Sequence, residues 1–500
     1  MTPPADLRVL YGSETGTAEE VAGYVASLAR RRCFENVETQ PLDDINPSLL
    51  CINAAIPVLL VISTTGDGEV PENMKRFWRW LLRRGLAADA LSSLRFAVFG
   101  LGDTTYGPKF NAAARKLHAR LLQLGASELA PRGLGDEQSP QGVWGDLDAW
   151  LSGVWAALLA VRPLPPGYVP DDGPALAPPL LDVEFLSAGA GIAAGVEAEG
   201  RKDLHSELNG GGAGARSGGD SVMPFPARVL ENRRLTAACH QQDVRHIELD
   251  VLGMAAAGRL RPGDVAVVHP QNDSTAVAAF AALFGLDLDA VVEIRAAGGT
   301  AAPEGAAAAA FLFPRRCTVR QLLMSCLDIA GIPRRLFFER LAPHATDPDE
   351  REKLAELASP AGADLLHAYA ARERRSCLEV LQDFPSCRPP LARLLEVVPR
   401  LRPRHFSVAS SPLAHPGRVH LCVAVVAYRT PLRRAVAGVC STWLAGLRPA
   451  APAGPASGRR GGGGGEDGGG GDTVPLWLRP GSFEVPASPD DPVVLVGPGT

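Results

Sequence analysis

The nine cysteines, at positions 33, 51, 239, 317, 326, 377, 387, 422 and 440, form no C-x-x-C pair and no zinc-ligand spacing. No metal site is therefore assigned, and reduced thiols in a cytosolic protein are expected. No apolar run reaches the roughly 18 residues that a membrane span requires. Met1 to Asp6 leads at once into a strand pattern, without the apolar core of a signal peptide. An excess of one sign of charge is also lacking: a formal net charge of -5 over 500 residues gives no argument for a nucleic-acid partner. Apolar residues are plentiful, and a 46% hydrophobic fraction over this length suits a globular chain of roughly two to four domains.

The segment Leu7-Arg-Val-Leu-Tyr-Gly-Ser-Glu-Thr-Gly-Thr-Ala-Glu-Glu20 runs from an apolar strand through a hydroxyl-rich loop into a helix. Backbone N–H groups at a helix start carry partial positive charge, so this loop suits a phosphate monoester. Ser13, Thr15 and Thr17 supply hydroxyl donors, and Gly16 lets the backbone approach. The loop has no Lys before its last hydroxyl residue, unlike the GxxxxGK[ST] triphosphate loop, and lacks the GxGxxG spacing. A monophosphate ligand remains, with FMN the leading case. An ordinary capped helix fits the same residues, because Ser and Thr are preferred N-caps.

From Leu7 to about Trp155 apolar strands alternate with helical segments, and Leu7 to Tyr11, Pro57 to Ser63, Arg95 to Leu101 and Glu128 to Leu134 read as buried parallel strands. This pattern is that of a doubly wound α/β domain, whose ligands bind beyond the strand carboxyl ends. The loops Ser13 to Ala18, Ser63 to Asn73 and Leu101 to Asn111 should therefore converge. Residues from about 162 to 224 are Pro-rich and then Gly/Ser-rich and read as a linker, with Leu180 to Leu186 a possible edge strand. From Phe225 period-two segments, Val244 to Val251 and Val265 to His269, point to an antiparallel barrel. Helical patterns dominate from Ala276 to about Val398, including Thr318 to Ala330 and Asp347 to Leu357. Strands return at His405 to Ser410 and Val419 to Tyr428, so a helical domain is expected inside the barrel. A Gly tract, Arg459 to Asp472, offers almost no side chains to pack. Pro492 to Thr500 reads as a buried strand entering a Gly turn, the start of a further α/β domain that the sequence does not continue.

In this order, these parts resemble the diflavin reductases, the family of microsomal cytochrome P-450 reductase, and most closely their soluble NADPH-dependent diflavin oxidoreductase branch. The resemblance implies a flavodoxin-like FMN domain (1–158), a linker (159–223) and an FAD barrel (224–490). The barrel would carry a helical insertion (about 276–398) and the Gly tract (about 450–473), followed by the first strand of an NADPH domain (491–500). It implies electron flow from NADPH to FAD to FMN to a protein acceptor. That acceptor would be an anamorsin-like iron–sulfur protein of cytosolic cluster assembly. Ser13, Glu14, Thr15, Gly16, Thr17 and Ala18 would meet the FMN phosphate. Ser63, Thr64, Thr65 and Gly66 would lie around the flavin ring. So would Leu101, Gly102, Asp103, Thr104, Thr105, Tyr106, Gly107, Pro108, Lys109, Phe110 and Asn111. Tyr106 is the expected stacking ring, Asp136 and Glu137 the acidic ribityl-side contacts, and Thr65 stands where many relatives have a second aromatic.

By the same resemblance Arg404, His405, Phe406 and Ser407 match an R-x-[YF]-S element. Its Arg would pair with the FAD pyrophosphate, a role that suits a planar, permanently charged fork. Gly438, Val439, Cys440 and Ser441 match a helix-start pyrophosphate element, Arg374 an upstream FAD contact, and Thr500 an NADPH-phosphate turn. Cys440 also reads as a small packed residue, having no partner Cys nearby. Acidic residues Glu14, Glu19, Glu20, Asp67, Glu69 and Glu72 offer a face for a basic acceptor, or simply a solvated one. An alternative is a flavin-binding chain that acts as a scaffold or competitor for partners without oxidising NADPH. Replacing Thr15 and Thr17 together by Ala should strip FMN and leave FAD bound, since each donor to a charged phosphate contributes roughly 1.5–3 kcal/mol. Flavin released on denaturation checks this, and loss of both flavins would contradict two separate sites.

Overall fold

The computed structural model describes residues 6–34, 36–47, 50, 56–139, 141–169, 179–186, 224–254, 260–297, 313–450 and 471–481. Three apolar runs, β1 (Leu7–Gly12), β3 (Val58–Ser63) and β4 (Arg95–Gly102), are buried almost throughout, as strands covered on both faces must be. With β2 (Val37–Pro41), β5 (Ser127–Glu128) and β6 (Gly133–Asp136) they form a parallel sheet, ordered β2-β1-β3-β4-β5 with β6 also on β4. Helices α1 (Thr17–Arg30) and α4 (Gly142–Val161) pack on one face, α2 (Lys75–Leu81) and α3 (Ala112–Gln123) on the other. The strand expected over 128–134 is divided into β5 and β6. Pro131, which has no N–H for a ladder, falls between them and gives its carbonyl to Trp150 Nε1 instead (3.0 Å).

The second sheet is antiparallel. It is built from β8 (Phe225–Arg234), β9 (Val244–Asp250), β10 (Val265–Val268), β13 (Arg404–Ser407), β14 (Arg418–Ala424) and β17 (Thr473–Arg479), in the order β13-β10-β17-β8-β9-β14. The expected closed barrel is not found among the described residues. Val408 N–H still bonds to Asp264 on the β10 side (3.1 Å), and past β13 the two edges are linked by the bond from Ala409 N–H to the His420 carbonyl (2.9 Å) and by Ser410, whose Oγ accepts from His420 N–H (3.1 Å) and donates to the Arg418 carbonyl (3.3 Å). The strand expected to reach Tyr428 stops at Ala424, beyond which β15 (Ala427–Arg429) and β16 (Ala435–Ala437) make a hairpin before α10 (Val439–Gly446).

The region expected to be helical also contains strands. β11 (Val291–Ala296) pairs with β12 (Arg316–Thr318) and with β7 (Leu181–Leu186), so the edge strand read in the linker segment exists and joins this sheet. Its core is shared with α5 (Ser274–Phe284), α6 (Arg335–Leu341), α7 (Pro348–Ala358), α8 (Cys377–Asp383) and α9 (Leu391–Val397). The helix expected over Asp347 to Leu357 is α7, and Asp347 caps it, accepting from Asp349 and Glu350 N–H (2.9 and 3.1 Å). Thr318 caps its helix in a capping box with Gln321, but the α turn ends at Gln321 and widens to a π turn over Leu322–Cys326. Buried Asn272 explains the early stop: its Nδ2 donates to the Leu323 and Leu327 carbonyls (2.7 and 2.6 Å). Among the described residues no helix is long and apolar enough to cross a membrane.

Helix α6 docks the second region on the first. Leu336 belongs to the apolar cluster of α1 and α4, and Arg335, fully buried, donates to Asp148 Oδ2 (2.6 Å). Nε and Nη2 of Arg335 have no hydrogen-bond partner, but its guanidinium lies over the rings of Trp144 (5.1 Å) and Tyr24 (5.9 Å). Arg335→Leu leaves Asp148 unpaired and should cost about 3 kcal/mol in urea unfolding, with R335L/D148L recovering most of the loss. Equal destabilisation of the single and double variants would contradict a paired role.

Candidate functional site

The first loop is wound tightly around Ser13. Its Oγ accepts from Gly16 N–H (2.9 Å) and Ala18 N–H (3.3 Å), while its own N–H donates to Asn73 Oδ1 (2.8 Å). Gly16, the N-cap of α1, has φ +93 and offers no side-chain oxygen, so in the first turn it is Ser13 Oγ that meets the Ala18 N–H. A Cβ at Gly16 would lie 3.0 Å from Arg402 Nη2, so glycine suits both the left-handed turn and the close approach of that arginine. Glu14 Oε2 accepts from Glu72 N–H (3.0 Å) and ties this loop to the second one. Thr65 and Glu69 bridge across the second loop.

The third loop is braced from below. Asp136 Oδ1 accepts from Thr104 N–H and Gln138 N–H (both 3.0 Å), and Asp103 accepts from Thr105 N–H (2.8 Å) and Gln138 Nε2 (3.0 Å). Burial works against the charge of Asp136, but these backbone donors outweigh it and hold the carboxyl below its usual value. Asn111 is fully buried in the left-handed region (φ 52) and donates to the Gly135 carbonyl (2.9 Å), so it supports the strand ends from within. Tyr106 is 64% exposed, an aromatic face presented to solvent at the rim of this loop. Lys109 pairs with Asp67 of the second loop. The three loops thus meet at one edge, as the strand order requires, and a hydroxyl-rich helix start with a glycine N-cap beside an exposed ring fits a phosphate-bearing planar ligand.

Beyond the first loop lies a cavity of about 910 Å³ between the two regions. Glu14, Thr15, Gly16, Thr17 and Glu137 line it from one side, and Arg334, Arg374, Arg400, Arg402, Arg404 and His405 from the other. Arg334 Nη1 donates to Thr17 Oγ1 (3.0 Å) and Glu20 Oε2 (3.1 Å), and Arg402 pairs with Glu19. Burial would raise the Glu19 carboxyl, but Arg402 and Arg400 prevail and keep it below the usual range. For Glu20 burial prevails over Arg334 and the value is raised. Arg374 adopts φ +52, a left-handed conformation uncommon for a non-glycine residue, on the cavity wall. Within β13, Arg404 and Phe406 are half-buried, while His405 and Ser407 alternate to the exposed face. Phe406 packs on the core of the second sheet. Such an arginine-rich wall suits a ligand carrying several phosphate charges.

Gly438 to Ser441 do not line this cavity. Gly438 is the N-cap of α10, and Ser441 Oγ accepts from Val426 N–H (3.0 Å). Cys440 is buried in the core; burial pushes its thiol up to about 12 against the pull of Arg404, which fits a packed residue. Thr500 lies outside the described residues. Sequence reasoning missed Arg334 and Arg402, which reach the first loop from distant segments with no motif of their own. Of the acidic residues expected to face a partner, Glu19 and Glu20 pair with arginines of the second region, Asp67 with Lys109 and Glu72 with Lys75, and Glu14 accepts from Glu72 N–H.

Residues 9–150 match the family model for flavodoxin and residues 219–443 that for an FAD binding domain, which makes this a flavoprotein with both kinds of flavin domain. The NADPH-dependent diflavin oxidoreductase 1 of Danio rerio is 41% identical over 98% of this chain and 76% of its own length. The same-named proteins of Xenopus laevis (40%; 100% and 77%) and Arabidopsis thaliana (34%; 99% and 75%) are also similar. The chain belongs to the NADPH-dependent diflavin oxidoreductase family.

The Glu19–Arg402 contact carries a pH signature. Because the folded value of Glu19 is lowered, its stabilisation is fully present above the ordinary 4.5 and is lost as pH falls through the lower folded value. Glu19→Gln should flatten the melting temperature against pH over that acidic window and leave the curve's shape near neutrality unchanged. An unaltered acid limb would show that Glu19 does not titrate through this pair.

Proposed function

We propose that the chain passes electrons from NADPH through FAD and FMN to a protein acceptor, an iron–sulfur protein of cytosolic cluster assembly. The observation that carries this reading is the shared cavity, with a phosphate-type loop on one side and the arginines of the FAD-binding region on the other. FMN is assigned to the edge of the first sheet. Ser13 to Ala18 hold the phosphate, Ser63 to Gly66 and Leu101 to Asn111 surround the ring with Tyr106 stacked on it, and Asp136 and Glu137 face the ribityl side. A stacked ring adds about 0.5–1.5 kcal/mol beyond area burial. FAD is assigned to Arg374, Arg404 and the backbone of Gly438 to Ser441 for its pyrophosphate, with His405, Phe406 and Ser407 beside its ring. Thr500 belongs with NADPH. The domain limits of this reading are 1–158, 159–223, 224–490 and 491–500.

The bound flavins and nicotinamide supply the hydride and electron chemistry. The chain's own residues hold phosphates, orient rings and set the spacing between the two sites. Arg334 and Arg402 do this from the FAD side by gripping Thr17, Glu19 and Glu20 of the FMN side. Those carboxylates become available to a basic acceptor only when the grip opens, so acceptor docking and contact between the two regions exclude each other. The test is anaerobic: the flavins are photoreduced and an oxidised [2Fe–2S] protein of the cluster-assembly type is added, its visible absorbance reporting reduction. The wild-type chain should bleach the acceptor, and T15A/T17A, stripped of FMN, should not. Equal bleaching by both would remove FMN from the exit position.

A further inference from the structure

We propose that the outer face of β9 and β14 is a binding site for a divalent transition metal, with His246, Glu248 and His420 as its protein ligands and zinc as the ion they suit best. The ladder puts these residues together. Glu248 pairs directly with His420, and His246 with Cys422, while Ile247, Leu249, Leu421 and Val423 turn into the sheet's core. Period-two alternation therefore sends all three side chains to the opposite face.

The distances fit a metal. His246 Nε2 lies 3.0 Å and His420 Nε2 3.6 Å from the same carboxylate oxygen, Glu248 Oε1, and the three ligand atoms lie within 4.8 Å of one another. A tetrahedral zinc with bonds of about 2.0–2.2 Å holds its donors about 3.4 Å apart, between the two observed separations. His420 is 7% exposed, and its Nε2 has no hydrogen-bond partner, a nitrogen buried toward this cluster without a donor or acceptor of its own. The second carboxylate oxygen, Glu248 Oε2, is held by Arg418 Nη1 (3.1 Å), which fixes the carboxylate with Oε1 toward the imidazoles. Two histidines and one carboxylate leave the fourth position to water, and a bound ion would tie the edge strand β14 to β9. The sequence concealed this set because it is an H-x-E pair in one strand and a single His on another far downstream.

Flavin-loaded full-length chain, treated with EDTA and desalted, is titrated with ZnCl2 by calorimetry. The expected result is saturable uptake of one zinc per chain. H246A and E248Q should each weaken it by more than R418A, which removes only the orienting contact and should weaken it about 10–100-fold. His240→Ala, on a separate turn, should leave the affinity unchanged. Flavin absorbance verifies that each variant is folded, and H246A and E248Q suffice if H420A is not. Absence of saturable uptake by the wild-type chain, or uptake indifferent to H246A and E248Q, would overturn the proposal.

Discussion

The structure depends on arginines of one region meeting carboxylates of the other along α1 and α4, from the start of α1 to the residue that follows its last turn. Arg402 on Glu19, Arg334 on Glu20 and Thr17, Arg335 on Asp148 and Arg31 on Glu339 all cross this seam, with Leu336 packed in its middle. Exposed ion pairs contribute little singly, about 0–1 kcal/mol, but this seam combines a fully buried guanidinium, an apolar contact and several half-buried pairs. Its position matters more than its strength. It places the hydroxyl-rich helix start of the first region and the arginine wall of the second on one cavity, which is the condition for two phosphate-bearing cofactors to lie close together.

The seam also has two faces electrostatically. Glu19 stays charged because Arg402 and Arg400 outweigh burial, whereas Glu20 is raised because burial outweighs Arg334. Adjacent carboxylates on one helical turn thus meet opposite balances of burial and arginine charge. A contact built from such pairs is screened by salt and opens more readily than an apolar interface of similar area. That suits the proposed transfer of electrons to a protein acceptor.

Much of the fold was legible in the sequence where a single local rule decides it. β1, β3 and β4 are continuous apolar runs buried on both faces, and Asp347 marks the start of α7. β2 was not legible, because Val37 is its only buried residue, and β17 was obscured by following a Gly tract and pairing with strands far upstream. The π turn after Gln321 depends on Asn272, which no local pattern connects to it. Within the candidate site the three loops could be read from motif and strand order. Arg334 and Arg402 could not, since a charge that acts across a tertiary interface leaves no periodicity behind.

The central claim is that the loop Ser13 to Ala18 cradles a phosphate monoester while the arginine wall receives a pyrophosphate. Phosphorus-31 NMR of the purified flavin-loaded chain distinguishes these groups directly. The account predicts one monoester resonance whose shift stays constant through neutral pH, as for a dianion shielded from solvent, beside a separate pyrophosphate pair. A spectrum with pyrophosphate signals alone, or a monoester that titrates as it does free in water, would contradict it.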